Sequence, residues 1–174
     1  MRTEININLN EKGSLQKGIK QLQAYKKRVQ EKTSLLVQKL TDYGAEIVRV
    51  KIVGMGAYYS GELLSGVSGY FSPILNAGFV KVTSDHVAFV EFGTGVALDN
   101  AMHPNAEYLA LADWNYGSGE TIFTTKDGKI GWYFPLEDGS WRFTEGLPSR
   151  PFMYETALEL QRDLYRITQE VFST

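Results

Sequence analysis

The sequence predicts an α+β protein, in which a small antiparallel β-sheet is packed by a long N-terminal helix and a C-terminal helix. Three observations lead there. Apolar residues recur at helical spacing from Leu15 to Val50, two Asp-Gly pairs (127–128 and 138–139) sit between strand-like stretches, and a second amphipathic stretch closes the chain after Pro151. With 174 residues, 43% of them hydrophobic, the chain has the length and apolar content of one domain with its own core, read as residues 1–174.

The elements follow in order. Ile5, Ile7 and Leu9 alternate with Asn6 and Asn8, the period of a short half-buried strand, and Ser14 after Gly13 suits a helix N-cap. From Leu15 the apolar series continues through Ile19, Leu22, Tyr25, Val29, Leu36, Leu40, Tyr43 and Ile47, as one helix or two in series. A single helix over 14–53 would be about 60 Å long against a domain about 40 Å across, and no proline interrupts it, so its stripe is expected to bury on another subunit. "AGFVKVTS" alternates as a strand, whereas "HVAFVEF" fits a strand or a helical turn led by Asp85. Residues 95–145 form a loop and hairpin insertion, with a short helix expected at Ala106 to Trp114 and hairpins at the two Asp-Gly pairs. Ser149 and Pro151 mark the start of the closing helix, whose apolar positions are Phe152, Leu160, Leu164, Ile167 and Val171.

Composition narrows the chemistry. The absence of Cys excludes thiolate zinc sites, Cys nucleophiles and disulfides. His86 and His103, the only histidines, stand in no metal-ligand spacing, and neither a nucleophile elbow nor a phosphate-binding loop is present, so no catalytic residue, metal or cofactor is expected. No apolar run is long enough to cross a bilayer and the start lacks a signal-like apolar region, so the expectation is a protein that is soluble where it is made. The net charge of -2 argues against bulk nucleic-acid binding, but it is unevenly spread. Residues 1–40 hold nine Lys/Arg against three acids, a formal +6, which leaves -8 for the remainder. Lys20, Lys26, Lys27 and Arg28 form a candidate basic contact face. It reads as a solvated helix face, as a surface meeting an acidic neighbour, or as one facing a nucleic acid it does not read by sequence.

Two features could carry chemistry. Glu91 with Asp99, Asp113 and Glu120 could form a carboxylate pair, and Trp114, Tyr116, Trp132, Tyr133, Phe134, Trp141 and Phe143 could stack on a sugar or pack across strands. Glu91 also follows an apolar run into "FGTG", so its carboxylate is expected to be partly buried and to need a partner. The Arg150 guanidinium is the attractive candidate.

Taken together, "AFVEFGTG" in mid-chain and "GLPSRPFMYETA" at the last helix resemble the neck proteins of long-tailed bacteriophages, the head-tail joining or tail-completion family. "SGELLSGV", Ser60 to Val67, is similar to that family's middle segment, with Ser60 where Thr is usual, and Gly131 to Tyr154 looks like an insertion found in members from phages of Gram-positive bacteria. The resemblance covers most of residues 14–172. It implies a virion structural protein, present in the host cytoplasm during assembly, that builds a homo-oligomeric ring at the head-tail interface and is compatible with a monomer in solution. The implied partners are other neck and tail proteins, such as a head connector or stopper and a tail terminator, with genomic DNA passing through unread and no membrane or enzymatic activity. On this reading Glu91, Phe92, Gly93, Thr94, Arg150, Pro151 and Phe152 form an interface or structural latch. The alternative is a phage-encoded glycan-binding or glycan-cleaving domain that uses the aromatic hairpins.

Overall fold

A computed structural model describes residues 4–8, 10–57, 61–94, 102–109, 122–136 and 138–173. In chain order the elements are α1 (Ser14–Gly54), α2 (Glu62–Ser65), β1 (Val67–Ser72), β2 (Ala77–Val82), α3 (Val87–Phe92), α4 (Ala106–Leu109), β3 (Phe123–Thr124), β4 (Ile130–Pro135), β5 (Trp141–Thr144) and α5 (Phe152–Ser173). β1 and β2 form a two-stranded sheet, and β3-β4-β5 a three-stranded one. The fold is α+β. Its backbone groups into two compact units. Unit 1 holds residues 1–46, 68–81 and 158–174, and unit 2 holds 47–67 and 82–157.

In unit 1, α1 packs on the β1-β2 hairpin by close backbone approach. Gly69 and Gly78 both lie against Thr41, and a side chain at Gly78 would overlap the Thr41 hydroxyl, which donates to the Val37 carbonyl. Gly44 keeps α1 unbroken while giving up its own side chain to contacts: a Cβ there would stand 2.9 Å from Val80 and 3.1 Å from Leu160. The helix is therefore continuous over 41 residues, because the one glycine in its central stretch is held by packing on both sides. α5 runs antiparallel to α1, with Asp163 beside Tyr43 and the Val171 carbonyl accepting from Lys32 Nζ at 2.7 Å. That lysine neutralises the negative end of α5. The last described turn of α5 thus lies opposite residues near 32, and α1 continues toward its N-terminus for about four more turns. Along those turns Leu15, Ile19 and Leu22 are exposed.

The expected strand at Ile5 to Leu9 does not form; residues 4–8 are without regular structure, and Leu9 lies outside the described residues. Ile5 and Ile7 instead lie against Gly18, and the Asn8 N–H donates to the Ser14 hydroxyl at 2.8 Å. Alternating apolar residues here report a segment laid on a helix with no partner strand.

In unit 2, the end of α1 contributes buried Val48 and Ile52, which join Leu63, Val67, Val90 and Phe152 in the core. Both Asp-Gly pairs make the expected turns, with Gly128 at φ 80° and Gly139 at φ 79°. β4 and β5 pair antiparallel with Tyr133 opposite Phe143 and Pro135 opposite Trp141. Of the expected helix at Ala106 to Trp114, α4 covers Ala106–Leu109; residues 110–114 lie outside the described residues.

The α1-α5 contact in unit 1 has a pH signature. The Tyr43 hydroxyl donates to Asp163 Oδ2 at 2.6 Å, and Arg166 Nη2 reaches the same oxygen at 3.2 Å. The Tyr43 hydrogen bond, helped by Arg166 and Arg162, holds the Asp163 carboxyl below the usual aspartate value; reciprocally, the bond to Asp163 raises the Tyr43 phenol. A depressed folded-state value means that this contribution is present above the unfolded value and is lost as pH falls through the folded one. In Tyr43→Phe the Asp163 carboxyl is expected to titrate nearer the ordinary value by NMR, and stability to fall less on acidification below about pH 4. An unchanged Asp163 titration refutes the assignment.

Candidate functional site

The stretch "HVAFVEF" resolves as helix. Val90 N donates to the His86 carbonyl and Gly93 N to that of Phe89. Val90 and Glu91 are both buried, which neighbouring residues on a half-buried strand cannot be, since they point to opposite faces. Gly93 then takes φ 75°, a left-handed backbone value, and turns the chain along residues 147–150. No side chain fits there: a Cβ on Gly93 would stand 2.6 Å from Ser149 N and 2.8 Å from the Leu147 carbonyl oxygen.

Four bonds lace the two segments together. Arg150 N donates to the Val90 carbonyl at 2.9 Å, the Ser149 hydroxyl to the Glu91 carbonyl at 2.6 Å, and Thr94 N to the Leu147 carbonyl at 2.9 Å. Leu147 N returns a bond to Thr94 Oγ1 at 3.0 Å. Sequence-predicted Glu91, Phe92, Gly93 and Thr94 are thus brought against the stretch that leads into Pro151 and Phe152.

The Glu91 carboxylate itself caps α5. Its residue is 5% exposed, Oε2 accepts from Met153 N at 2.9 Å, and Oε1 accepts from Tyr154 N at 3.0 Å. These are orphan N–H groups of the helix's first turn, at the positive end of its dipole, so the bonds are charge-assisted and the charge is placed where the helix favours it. His103 Nε2 completes the shell at 3.3 Å from Oε1. Since Asn105 N donates to Nδ1 at 3.1 Å, the ring proton belongs on Nε2, and the imidazole donates to the carboxylate. Phe92 and Tyr154 meet the imidazole edge-on at centroid distances of 5.0 and 5.5 Å. One carboxylate therefore gathers residues 91, 103 and 153–154 from three parts of the chain.

The expected Glu91-Arg150 ion pair is not formed. Only the Arg150 backbone joins this lacing; the residue also lines a neighbouring cavity of about 820 Å³ with Ala57, Leu63, Val90, Phe134 and Leu147. The helix start explains the difference. α5 begins at Phe152, so the N–H groups of Met153 and Tyr154 point back along its axis into Glu91, already oriented and without the rotamer freedom a long guanidinium must give up. Ser149 likewise spends its hydroxyl on the Glu91 carbonyl, and the cap comes from a residue about 60 positions away.

The remaining candidates fall elsewhere. In unit 1, Lys20, Lys27 and Arg28 share one side of α1, with Lys27 3.8 Å from Glu31, whereas Lys26 is turned about 120° from Lys20, so the four do not form one face. Asp99, Asp113, Glu120, Trp114 and Tyr116 lie outside the described residues. Tyr133 meets Phe143 at 64° and Phe123 at 60°, the edge-to-face packing of cross-strand pairs. Among the described residues no group of three or more His, Cys, Asp or Glu is placed to hold a metal. His103 as the partner of Glu91 was missed by sequence reasoning; its one signal was being a histidine beside Pro104 in an otherwise aperiodic stretch. Comparison with protein-family models, curated proteins and solved structures finds no match to this chain.

Two stability predictions follow from the cap. Glu91→Gln must aim an amide donor at one of two backbone donors and is expected to cost about 2–4 kcal/mol, lowering the melting temperature by roughly 5–12 °C, while Arg150→Ala stays within about 1 kcal/mol. Equal losses in a thermal melt would restore Arg150 as the partner. Gly93→Ala combines a left-handed backbone with a backbone clash, and is expected to cost about 3 kcal/mol or more by denaturant unfolding; a loss under about 1 kcal/mol would show that residues 147–149 can move aside.

Proposed function

We propose that the protein is a structural part of the head-tail joint of a long-tailed bacteriophage, acting by protein-protein contact as a subunit of a ring through which the genome passes unread. The observation that carries this reading is the first half of α1: four turns run on past the end of α5 with Leu15, Ile19 and Leu22 exposed, an apolar stripe of the kind that assembly covers. The Glu91 cap supports it from the other side. The two motifs that carry the resemblance, "EFGTG" and "RPF", meet as a buried joint whose carboxylate oxygens hold a helix end and an imidazole, which gives the motifs a structural reason to occur together.

In this role the partners are other neck and tail proteins, and the protein acts in the virion after assembly in the host cytoplasm. Deleting the gene is expected to yield filled heads and separate tails by negative-stain microscopy, with joining restored by adding the purified chain. Normal particles from the deletion, or lysis of cell walls by the purified chain, would overturn the reading.

A further inference from the structure

The turn between β1 and β2 presents the barest aliphatic surface among the described residues. Ile74 is 95% exposed and Leu75 69%. The turn is nonetheless braced: Leu75 N donates to the Ser72 hydroxyl, Pro73 restricts the backbone, and Asn76, at φ 46°, accepts from the Ser34 hydroxyl of α1 at 2.8 Å. Tyr70 and Phe79, stacked at 6.4 Å and both exposed, continue the apolar surface down the hairpin. A braced, water-exposed Ile-Leu tip has the form of a knob.

Unit 2 contains a cavity lined largely by apolar residues. The cavity of about 820 Å³ is walled by Ala57, Leu63, Val90, Phe134 and Leu147, with Glu62 and Arg150 among its polar groups. Its size falls within the ~300–1,000 Å³ typical of sites that take a small molecule. The units also differ in charge. Among the described residues unit 1, which carries the tip, has eleven Lys/Arg against eight Asp/Glu, a formal +3, and unit 2 has six against eight, a formal -2.

We propose that copies of this chain associate head to tail, the Ile74-Leu75 tip of one seated in the cavity of the next. Charge complementarity selects the occupant, because the knob and the hole lie on units of opposite sign in the same chain and two copies can satisfy both. Such a contact joins two different patches, so it repeats, and it closes into a ring when the rotation between copies divides a full turn. The inference deepens the ring reading and rests on it for the number of copies, but the contact itself can be tested alone.

The chain has no cysteine, which makes the test clean. Ile74→Cys, in a size-tagged copy, is mixed with Ser84→Cys, a substitution in the cavity wall, and oxidised; a disulfide between the two species can form only between copies. The expected result is a heterodimer on a non-reducing gel that is well above the yield with Lys126→Cys, an exposed residue in the β3-β4 turn. Adding Leu75→Asp to the tip variant should lower the yield roughly tenfold or more, as expected for placing a carboxylate in an apolar seat. Equal yields with Ser84→Cys and Lys126→Cys overturn the proposal. If those equal yields accompany rings of the wild-type chain by negative stain, the knob-in-hole contact fails and the ring reading stands. A strong heterodimer from a chain whose deletion leaves heads joined to tails reverses that outcome. Binding of wild type but not Ile74→Asp to vesicles, with no heterodimer, assigns the tip to a lipid surface and also overturns the proposal.

Discussion

A carboxylate buried at the start of a helix is the constraint on which unit 2 depends. An ionised side chain away from water is stable only when its oxygens are bonded, and Glu91 finds its donors in Met153 N, Tyr154 N and His103 Nε2. The reverse also holds. The first N–H groups of α5 have no partner inside their own helix, so a buried helix start without an acceptor would be as costly as a buried charge without donors. Each group is the remedy for the other, and neither is satisfied until α3, the His103 segment and the head of α5 have all arrived. The joint therefore behaves as a cooperative unit. Gly93 is its geometric condition, because only a residue without a side chain lets the chain turn within reach of Ser149 and Leu147.

Unit 1 is organised differently, with close backbone approach added to polar bonds such as Tyr43-Asp163 and Lys32-Val171. Thr41 sits over Gly69 and Gly78, and Gly44 receives Val80 and Leu160, so α1 meets both the hairpin and α5 where side chains are missing. This arrangement locates α1 along its length and leaves Leu15, Ile19 and Leu22 of its first turns exposed. β1, "VSGYFS", carries the strand formers Val67, Tyr70 and Phe71, and its Gly69 is the position that lies against Thr41 of α1.

Legibility in the sequence follows the range of the interaction. The hairpins at Asp127-Gly128 and Asp138-Gly139 are set by local turn chemistry, and α1 and α5 by apolar periodicity, so each could be read from a short window. β1 was harder to read, because Gly69 and two serines interrupt its pattern and the reason for the glycine is Thr41 on another element. The pattern at Ile5 and Ile7 was visible but ambiguous in meaning, since alternation reports one buried side and does not reveal whether the cover is a strand or Gly18 of a helix. The Glu91 site was half legible. Its burial and the proximity of "EFGTG" to "SRPF" were readable, whereas its true partners are backbone N–H groups, which no residue letter announces, and a histidine on an aperiodic stretch. A search for partners among side chains therefore settles on Arg150 and passes over the helix end.

The two units together bear on the symmetry of assembly. A two-fold dimer built on the hairpin tip would set one unit of formal charge +3 among its described residues against another, and would leave the cavity of each copy unfilled. A head-to-tail contact sets +3 against -2 and fills one cavity per contact. The apolar tip supplies affinity in that scheme, and the charges select orientation and speed encounter. Rigidity matters as well, because a repeating contact carries any angular error in one subunit to the next. The Ser34-Asn76 brace under the tip and the buried Glu91 joint in the unit that holds the cavity fix the knob and the hole to the fold separately. The angle that a repeated contact sets between neighbours decides whether copies close into a ring or continue as a filament.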